Sequence, residues 1–146
     1  MKKIILVILS GLFMVCSLPI YSANKSKTQG NTPLEVSSLK QLDALLGSQK
    51  IVFIDFYKDS CPPCERFKPL YEHWAYRFGK QIIFIKINAS NPKTDDLCKK
   101  FEITSLPTLI ILDSQGEKIA KHIGIEEVTK INVERFLAHV ETQDFK

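Results

Sequence analysis

Residues 51–64 read IVFIDFYKDSCPPC and decide how the rest of the chain is interpreted. The run over residues 51–57 is apolar, β-branched and aromatic, which is typical of a strand covered on both faces in a parallel sheet. The segment that follows is expected to be helical from Cys61, and it carries a second cysteine at Cys64. A buried strand that leads directly into a helix predicts an α/β domain.

The two cysteines are spaced for redox chemistry. A separation of three residues at a helix start brings two Cα atoms to about 5–6 Å, the span that a disulfide needs. Cys61 should lie at the positive end of the helix, which favours its thiolate. Because the thiolate is the form that attacks a disulfide, Cys61 is the expected nucleophile and Cys64, expected to be more shielded, the resolving thiol. Pro62 and Pro63 remove two N–H donors and stiffen the loop.

Other uses of the pair fit this chain less well. A structural zinc site needs about four ligands, but Cys98 and the histidines at 73, 122 and 139 show no ligand spacing. A c-type haem needs a histidine directly after the second cysteine, where this chain has Glu65. A purely structural disulfide is an alternative in an exported protein, although so short a loop stabilises little. We therefore expect no metal and no organic cofactor.

Asp55 interrupts the apolar strand six residues before Cys61. A buried carboxylate is costly, so Asp55 should have a raised pKa or a charged partner. Lys86, in a second apolar run at residues 81–87, is the candidate partner. The functional hypothesis is that Asp55 accepts the proton of Cys64, and the alternative is a strand-end residue that faces solvent.

The remaining hydrophobic pattern alternates between helical and strand periods. Ser37 or Ser38 is expected to cap the first helix. In chain order we expect a helix, a strand, a helix, a strand, a helix, two strands as a hairpin, and a helix, at residues up to 46, 51–57, 61–78, 81–87, 94–101, 108–112, 118–123 and 126–140. This order implies an α/β fold in which a mixed central sheet is flanked by helices on both faces.

The N-terminal segment has the layout of a secretory signal peptide over residues 1–23, with Lys2 and Lys3 before an apolar run. We expect cleavage after Ala23, a flexible tether at residues 24–33 and the domain at residues 34–146. The alternative is an uncleaved membrane anchor over residues 4–20, which is at the short end for a span. In both cases we expect an exported protein, in a bacterial periplasm.

Composition excludes several other classes. The chain has 146 residues, of which 45% are hydrophobic and 25% charged, as in a single folded domain and unlike a disordered chain. Its formal net charge is +4, and the two lysines of the signal segment leave +4 − 2 = +2 for the remainder. That balance argues against nucleic-acid binding, which normally needs a strongly basic face.

These motifs together resemble the thioredoxin family over about residues 35–140. The residues that carry the resemblance are Asp55-Phe56-Tyr57, Cys61-Pro62-Pro63-Cys64, Pro69, Lys86, Leu106-Pro107-Thr108 and Gly124. The resemblance implies a thioredoxin-like fold with a cis peptide bond between Leu106 and Pro107 beside the cysteines. It also implies that the Leu106 backbone binds a client peptide as an added strand, with Pro62 and Pro63 on the same surface.

Two departures from the family pattern bear on the direction of the reaction. Ser60 stands where thioredoxins usually have Trp, and Pro62 stands where they usually have Gly. Oxidising relatives carry a His before the second cysteine that stabilises the reduced thiolate, and Pro63 cannot do this. We therefore expect a monomeric reductase of disulfide-containing exported proteins, supplied by a membrane electron donor because the periplasm is kept oxidising. Disulfide oxidation or isomerisation is the enzymatic alternative, and binding without turnover is the non-enzymatic one.

Overall fold

The computed structural model of the chain describes residues 32–142. The strands are β1 (Leu34–Glu35), β2 (Ile51–Tyr57), β3 (Ile82–Asn88), β4 (Thr108–Leu112) and β5 (Lys118–Ile123). The helices are α1 (Leu39–Leu46), α2 (Pro62–Phe78), α3 (Asp95–Lys100), α4 (Ile125–Val128) and α5 (Val133–Thr142), with a 3₁₀ turn at Pro92–Thr94. The α/β order expected from the hydrophobic pattern is thus present.

The strands form one mixed sheet in the order β1-β3-β2-β4-β5. β3 pairs in parallel with β1 and β2, whereas β4 pairs antiparallel with β2 and with β5. The central strand β2 therefore delivers the cysteine-bearing segment at the middle of the sheet. This is the fold class that the sequence predicts.

The core lies on both faces of the sheet because successive side chains of a strand point in opposite directions. Ile54 of β2 belongs to one buried cluster with Leu42 of α1 and Leu97 of α3. Phe53, its neighbour, belongs to a second cluster with Tyr71 and other residues of α2. Helices therefore cover both faces, as expected, and α2 lies on the same face as the side chains of alternate β2 residues that include Phe53 and Asp55.

The C-terminal segment differs from the single helix expected over residues 126–140. It forms α4 and α5, separated by four residues. The Thr129 hydroxyl donates to the Ile125 carbonyl, and the Asn132 side chain accepts from the Arg135 N–H, as an N-cap does. Such local side-chain bonds compete with a continuous helix. The helical spacing of apolar residues therefore continues across residues 129–132, although the helix itself is interrupted there.

The segment before the domain falls mostly outside the described residues. The expected signal segment, or anchor, and all but the last two residues of the expected tether are among these positions. No helix within residues 32–142 is long and apolar enough to cross a membrane.

Candidate active site

Helix α2 begins at the cysteine pair. Cys61 is the N-cap in an extended conformation, and Pro62 and Pro63 take the first two helical positions, where a missing N–H costs little. Cys61 and Cys64 form a disulfide with a Cα–Cα distance of 5.2 Å. The Cys64 N–H donates to Cys61 Sγ over 3.4 Å. The spacing argument from the sequence is therefore confirmed.

The two cysteines are almost equally buried. Cys61 is 4% exposed and Cys64 is 6% exposed, so the expectation that Cys64 is the more shielded one is wrong for the disulfide form. The disulfide and the Cys64 N–H both hold the N-cap side chain of Cys61 against the first turn of α2. The cysteines differ instead in the cavity that each one lines.

Cys61 lines a groove of about 560 Å³. Pro62, Pro63 and Leu106 line the same groove, so the structure brings three of the expected client-binding residues to the nucleophile. The peptide bond between Leu106 and Pro107 is cis, as the resemblance implied. Pro107 is buried next to this wall, and its carbonyl accepts from the Gly124 N–H over 2.8 Å.

Asp55 is buried in β2 and 3% exposed. Its Oδ1 is enclosed and has no hydrogen-bond partner among the described residues. Burial raises the pKa of Asp55 to about 7, although the positive charge of Lys86 opposes this rise. The alternative that Asp55 faces solvent is therefore wrong, and the pKa shift has the direction expected for a buried carboxyl.

Asp55, Cys64 and Lys86 line a second cavity of about 260 Å³. Lys58 and Ser60 line both this cavity and the groove beside Cys61. The Asp55 carboxyl and the expected resolving thiol thus border the same space. The three residues that the sequence assigned to proton transfer therefore meet in one place.

Lys86 is the cross-strand neighbour of Asp55 but does not form an ion pair with it. The two residues are register partners between β2 and β3. The Lys86 Nζ lies 4.4 Å from the centroid of the Tyr57 ring, and within residues 32–142 no ion pair of 4.0 Å or less joins Lys86 to Asp55. Lys86 is thus the charged neighbour that the sequence suggested, and its charge acts on Asp55 from the adjacent strand without an ion pair.

Glu35 and Tyr57 also belong to the surroundings of Asp55 and Lys86. Sequence reasoning assigned a functional role to neither residue. The Tyr57 hydroxyl donates to Glu35 Oε1 over 2.9 Å. Glu35 is the register partner of Lys86 on the other side of β3. A strand of two residues shows no period, so the pattern gave no signal for Glu35.

Two residues beside the pair bear on access to it. Ser60, directly before Cys61, has a φ of 56°, in the left-handed region that residues other than glycine seldom adopt. Cys98 is half-buried, packs against the core and lines the same groove as Cys61. Burial raises the pKa of the Cys98 thiol, and a raised pKa is typical of a packed cysteine rather than a reactive one.

A metal centre was not expected from the sequence. Within residues 32–142 the structure places no group of three or more His, Cys, Asp or Glu side chains that could hold a metal ion.

Comparison with known proteins decides the family. The family described as Thioredoxin matches residues 34–137. The chain belongs to the thioredoxin family. It is 34% identical over 97 residues to thioredoxin from Mycoplasma genitalium, which covers 66% of this chain and 91% of that relative. It is 27% identical over 104 residues to thioredoxin 1 from Plasmodium falciparum, covering 70% of this chain and 96% of that one.

A solved thioredoxin structure has the same fold. The crystal structure of thioredoxin from Trypanosoma brucei brucei matches with a TM-score of 0.67 at 21% identity, over 80% of this chain and 97% of the other. Together with the Cys61–Cys64 disulfide, family membership identifies a thioredoxin-type thiol–disulfide oxidoreductase with this pair as its redox centre.

Proposed function

We propose that this thioredoxin-family chain is an exported protein-disulfide reductase. The observation that carries the proposal is the position of Cys61, which ends the loop after the central strand, forms a disulfide with Cys64 and lines an open groove. A nucleophile in such a groove is accessible to a disulfide in an extended segment of another protein.

The reaction consists of two thiol–disulfide exchanges. In the first, the Cys61 thiolate attacks one sulfur of the client disulfide, so that a Cys61–client S–S bond forms and the other client sulfur leaves as a thiolate, which takes up a proton. In the second, Asp55 accepts the proton of Cys64, and the Cys64 thiolate attacks the Cys61 sulfur. The second client sulfur then leaves, two electrons have passed to the client, and the chain is left as the Cys61–Cys64 disulfide.

Asp55 suits the second exchange because its proton affinity is matched to neutral pH. A general base works best when its pKa lies near the working pH, and burial raises the pKa of Asp55 to about 7. The positive charge of Lys86, in the neighbouring strand, keeps the pKa of Asp55 lower than burial alone would. We assign the proton transfer to Asp55 and a supporting electrostatic role to Lys86.

The two prolines favour reduction of clients over their oxidation. A disulfide is a strong oxidant when its reduced thiolate is well stabilised. Pro62 and Pro63 have no N–H to donate, and the Glu65 N–H is bonded to the Cys61 carbonyl. The Cys64 N–H is thus the one backbone donor of the first turn that reaches Cys61 Sγ, so thiolate stabilisation is limited.

Client binding uses the groove beside Cys61. We assign the backbone of Leu106, which lines this groove, to binding an extended client segment by strand addition, in which main-chain hydrogen bonds give affinity. Pro62 and Pro63 line the same groove. The small side chain of Ser60 leaves room beside the nucleophile.

Export and the electron source belong to the same proposal. Residues 1–23 have the pattern of a signal peptide, with a membrane anchor over residues 4–20 as the alternative. A reductase in an oxidising compartment must be recharged, so we propose a membrane dithiol that returns two electrons to the Cys61–Cys64 disulfide. The clients are disulfide-containing exported proteins, and the chain acts as a monomer.

The direct test is reduction of a protein disulfide under single-turnover conditions. The reduced full chain is mixed with a disulfide-bonded protein, and the release of client thiols is followed. Wild type and Cys98→Ser should both reduce the client, whereas Cys61→Ser should not. Full activity in Cys61→Ser would contradict the mechanism, and net oxidation of a reduced client by the disulfide form at equilibrium would contradict the direction.

A further inference from the structure

Three charged side chains lie in one row across the sheet. Glu35 of β1 is paired with Lys86 of β3, and Lys86 is paired with Asp55 of β2. Register partners point to the same face of a sheet, here the face that α2 covers. The exposure falls along the row, from exposed Glu35 through half-buried Lys86 to buried Asp55.

Tyr57 ties the exposed end of this row to its centre. It lies two residues after Asp55 and therefore on the same face. Its hydroxyl donates to Glu35 Oε1 over 2.9 Å, so the side chain spans β3. Its ring centroid lies 4.4 Å from the Lys86 ammonium, within the range of a cation–π interaction.

This arrangement holds Lys86 in a definite place. The ammonium lies against the ring that Glu35 anchors, and no ion pair of 4.0 Å or less to Asp55 is present among the described residues. A direct ion pair with a cation lowers the proton affinity of a carboxylate strongly. Such a carboxylate would be a poor acceptor for a thiol proton near neutral pH.

We propose that Glu35 is a positioning residue for the resolving step: it anchors Tyr57, whose ring holds the Lys86 ammonium away from an ion pair with Asp55, so that Asp55 can take the Cys64 proton. The proposal rests on the proposed role of Asp55. Within residues 32–142, Glu35 is not among the residues that line the two cavities beside the cysteines. The negative charge of Glu35 also raises the pKa of Asp55, because it opposes ionisation of that carboxyl.

Other ionisable groups also face Asp55. Tyr71 of α2 interacts with it electrostatically, and Cys64 lies at the start of the same helix. The remaining charged residues that line the cavity shared by Asp55 and Cys64 are Lys58, Asp59, Glu65 and Lys68. These four are exposed at the cavity rim, whereas Glu35 acts through the hydrogen bond to Tyr57.

The first test is an NMR titration of the Asp55 carboxyl carbon in the full-length disulfide form, where Cys61 and Cys64 do not titrate. Glu35→Leu removes both the charge and the acceptor of the Tyr57 hydroxyl, and it should lower the Asp55 midpoint by roughly 0.3–1 pH unit. Glu117→Leu, in the turn between β4 and β5, removes the same charge outside the row and should leave the midpoint in place. Equal midpoints in Glu35→Leu and wild type would overturn the proposal.

A double-mutant cycle separates anchoring from a simple charge effect. In a Tyr57→Phe background the ring remains but the hydroxyl bonded to Glu35 is lost. The shift caused by Glu35→Leu should be smaller in that background, because Glu35 no longer fixes the ring there and the substitution removes only its charge. A shift of the same size in both backgrounds would overturn the positioning role.

A separate kinetic measurement shows whether the proposed role of Asp55 itself fails. In single-turnover resolution of a Cys61–client mixed disulfide, the acid limb of the pH–rate profile should move to lower pH in Glu35→Leu, while the rate of the first attack by Cys61 stays the same. If Asp55→Asn resolves the mixed disulfide at the wild-type rate, the proposed role of Asp55 fails, whatever the titration shows for Glu35. If Asp55→Asn is slow but Glu35→Leu has the wild-type profile, the role of Glu35 fails and the proposed function stands.

Discussion

Asp55 and Cys64 line the same cavity beneath the start of α2, with the Asp55 Oδ1 enclosed and without a hydrogen-bond partner among the described residues. A buried polar atom without a partner costs stability. The cost is understandable if the carboxyl has to exchange a proton with the thiol beside it, because a satisfied carboxylate would be a weaker base. This relationship leads to predictions about stability and about the second exchange.

Replacing Asp55 with Asn should change the pH dependence of folding. The pKa of Asp55 is about 7 in the folded chain against an ordinary value of 3.8, so between these pH values the folded state binds more protons than the unfolded state. Stability from this group is therefore fully present below the ordinary pKa and is lost as pH rises to the folded pKa, by about 1.4 kcal/mol per pH unit and about 4 kcal/mol in all.

The measurement is the free energy of unfolding of the disulfide form in urea between pH 4 and pH 8. Asp55→Asn should gain stability relative to wild type as pH rises, whereas Asn in place of exposed Asp96 should follow wild type. A constant difference between Asp55→Asn and wild type across this range would show that Asp55 keeps an ordinary pKa.

Removing the resolving thiol should trap the client. Cys64→Ser retains the nucleophile Cys61 but has no thiol to attack the mixed disulfide, so a Cys61–client disulfide should accumulate to nearly one equivalent. Non-reducing electrophoresis and mass spectrometry measure the adduct. Cys61→Ser is the matched control and should trap little. An equal yield from both variants would mean that the two cysteines do not have different roles.

Gly124 should tolerate alanine poorly although space is available. It has a φ of 83° and a ψ of 162°, a region that is essentially restricted to glycine, and an added Cβ would meet nothing within 4 Å. Gly124→Ala should therefore cost about 1–3 kcal/mol of unfolding free energy from backbone strain alone. Gly47, with a φ of −62°, is the control, and Gly47→Ala should be neutral or stabilise by up to about 1 kcal/mol.

The Gly124 variant also tests the wall of the client groove. The Gly124 N–H holds the Pro107 carbonyl, so displacement of this backbone should slow the first attack on a client more than Gly47→Ala does. Unfolding in urea measures the stability, and single-turnover client reduction measures the attack. Equal stabilities of the two alanine variants would contradict the backbone account.

Sequence reasoning succeeded where the local pattern determines the structure. The apolar run of β2, the cysteine at the N-cap of α2 and the two prolines at its first positions each follow from a short-range rule. The burial of Asp55 was less certain, because the same pattern allows a strand end in solvent. What decided it was the cover that α2 provides, which is a tertiary contact.

The parts that the sequence did not predict depend on contacts between distant segments. β1 has only two residues and forms because the edge of β3 pairs with it. So short a strand shows no periodicity, and the position of Glu35 could not be predicted from the pattern. The position of Lys86 depends on the Tyr57 ring, which crosses β3 to reach Glu35. The break between α4 and α5 was hidden because apolar residues continue on both sides of Thr129 and Asn132.

The most direct test of the central claim is the equilibrium redox potential of the Cys61–Cys64 pair in the purified full chain. The fraction of disulfide is measured against a dithiothreitol or glutathione series, in a Cys98→Ser background so that the third thiol does not interfere. If the chain is a reductase with limited thiolate stabilisation, its redox potential should be about −270 mV, as for thioredoxin. A potential of about −120 mV, as for a strong disulfide oxidant, would contradict the account.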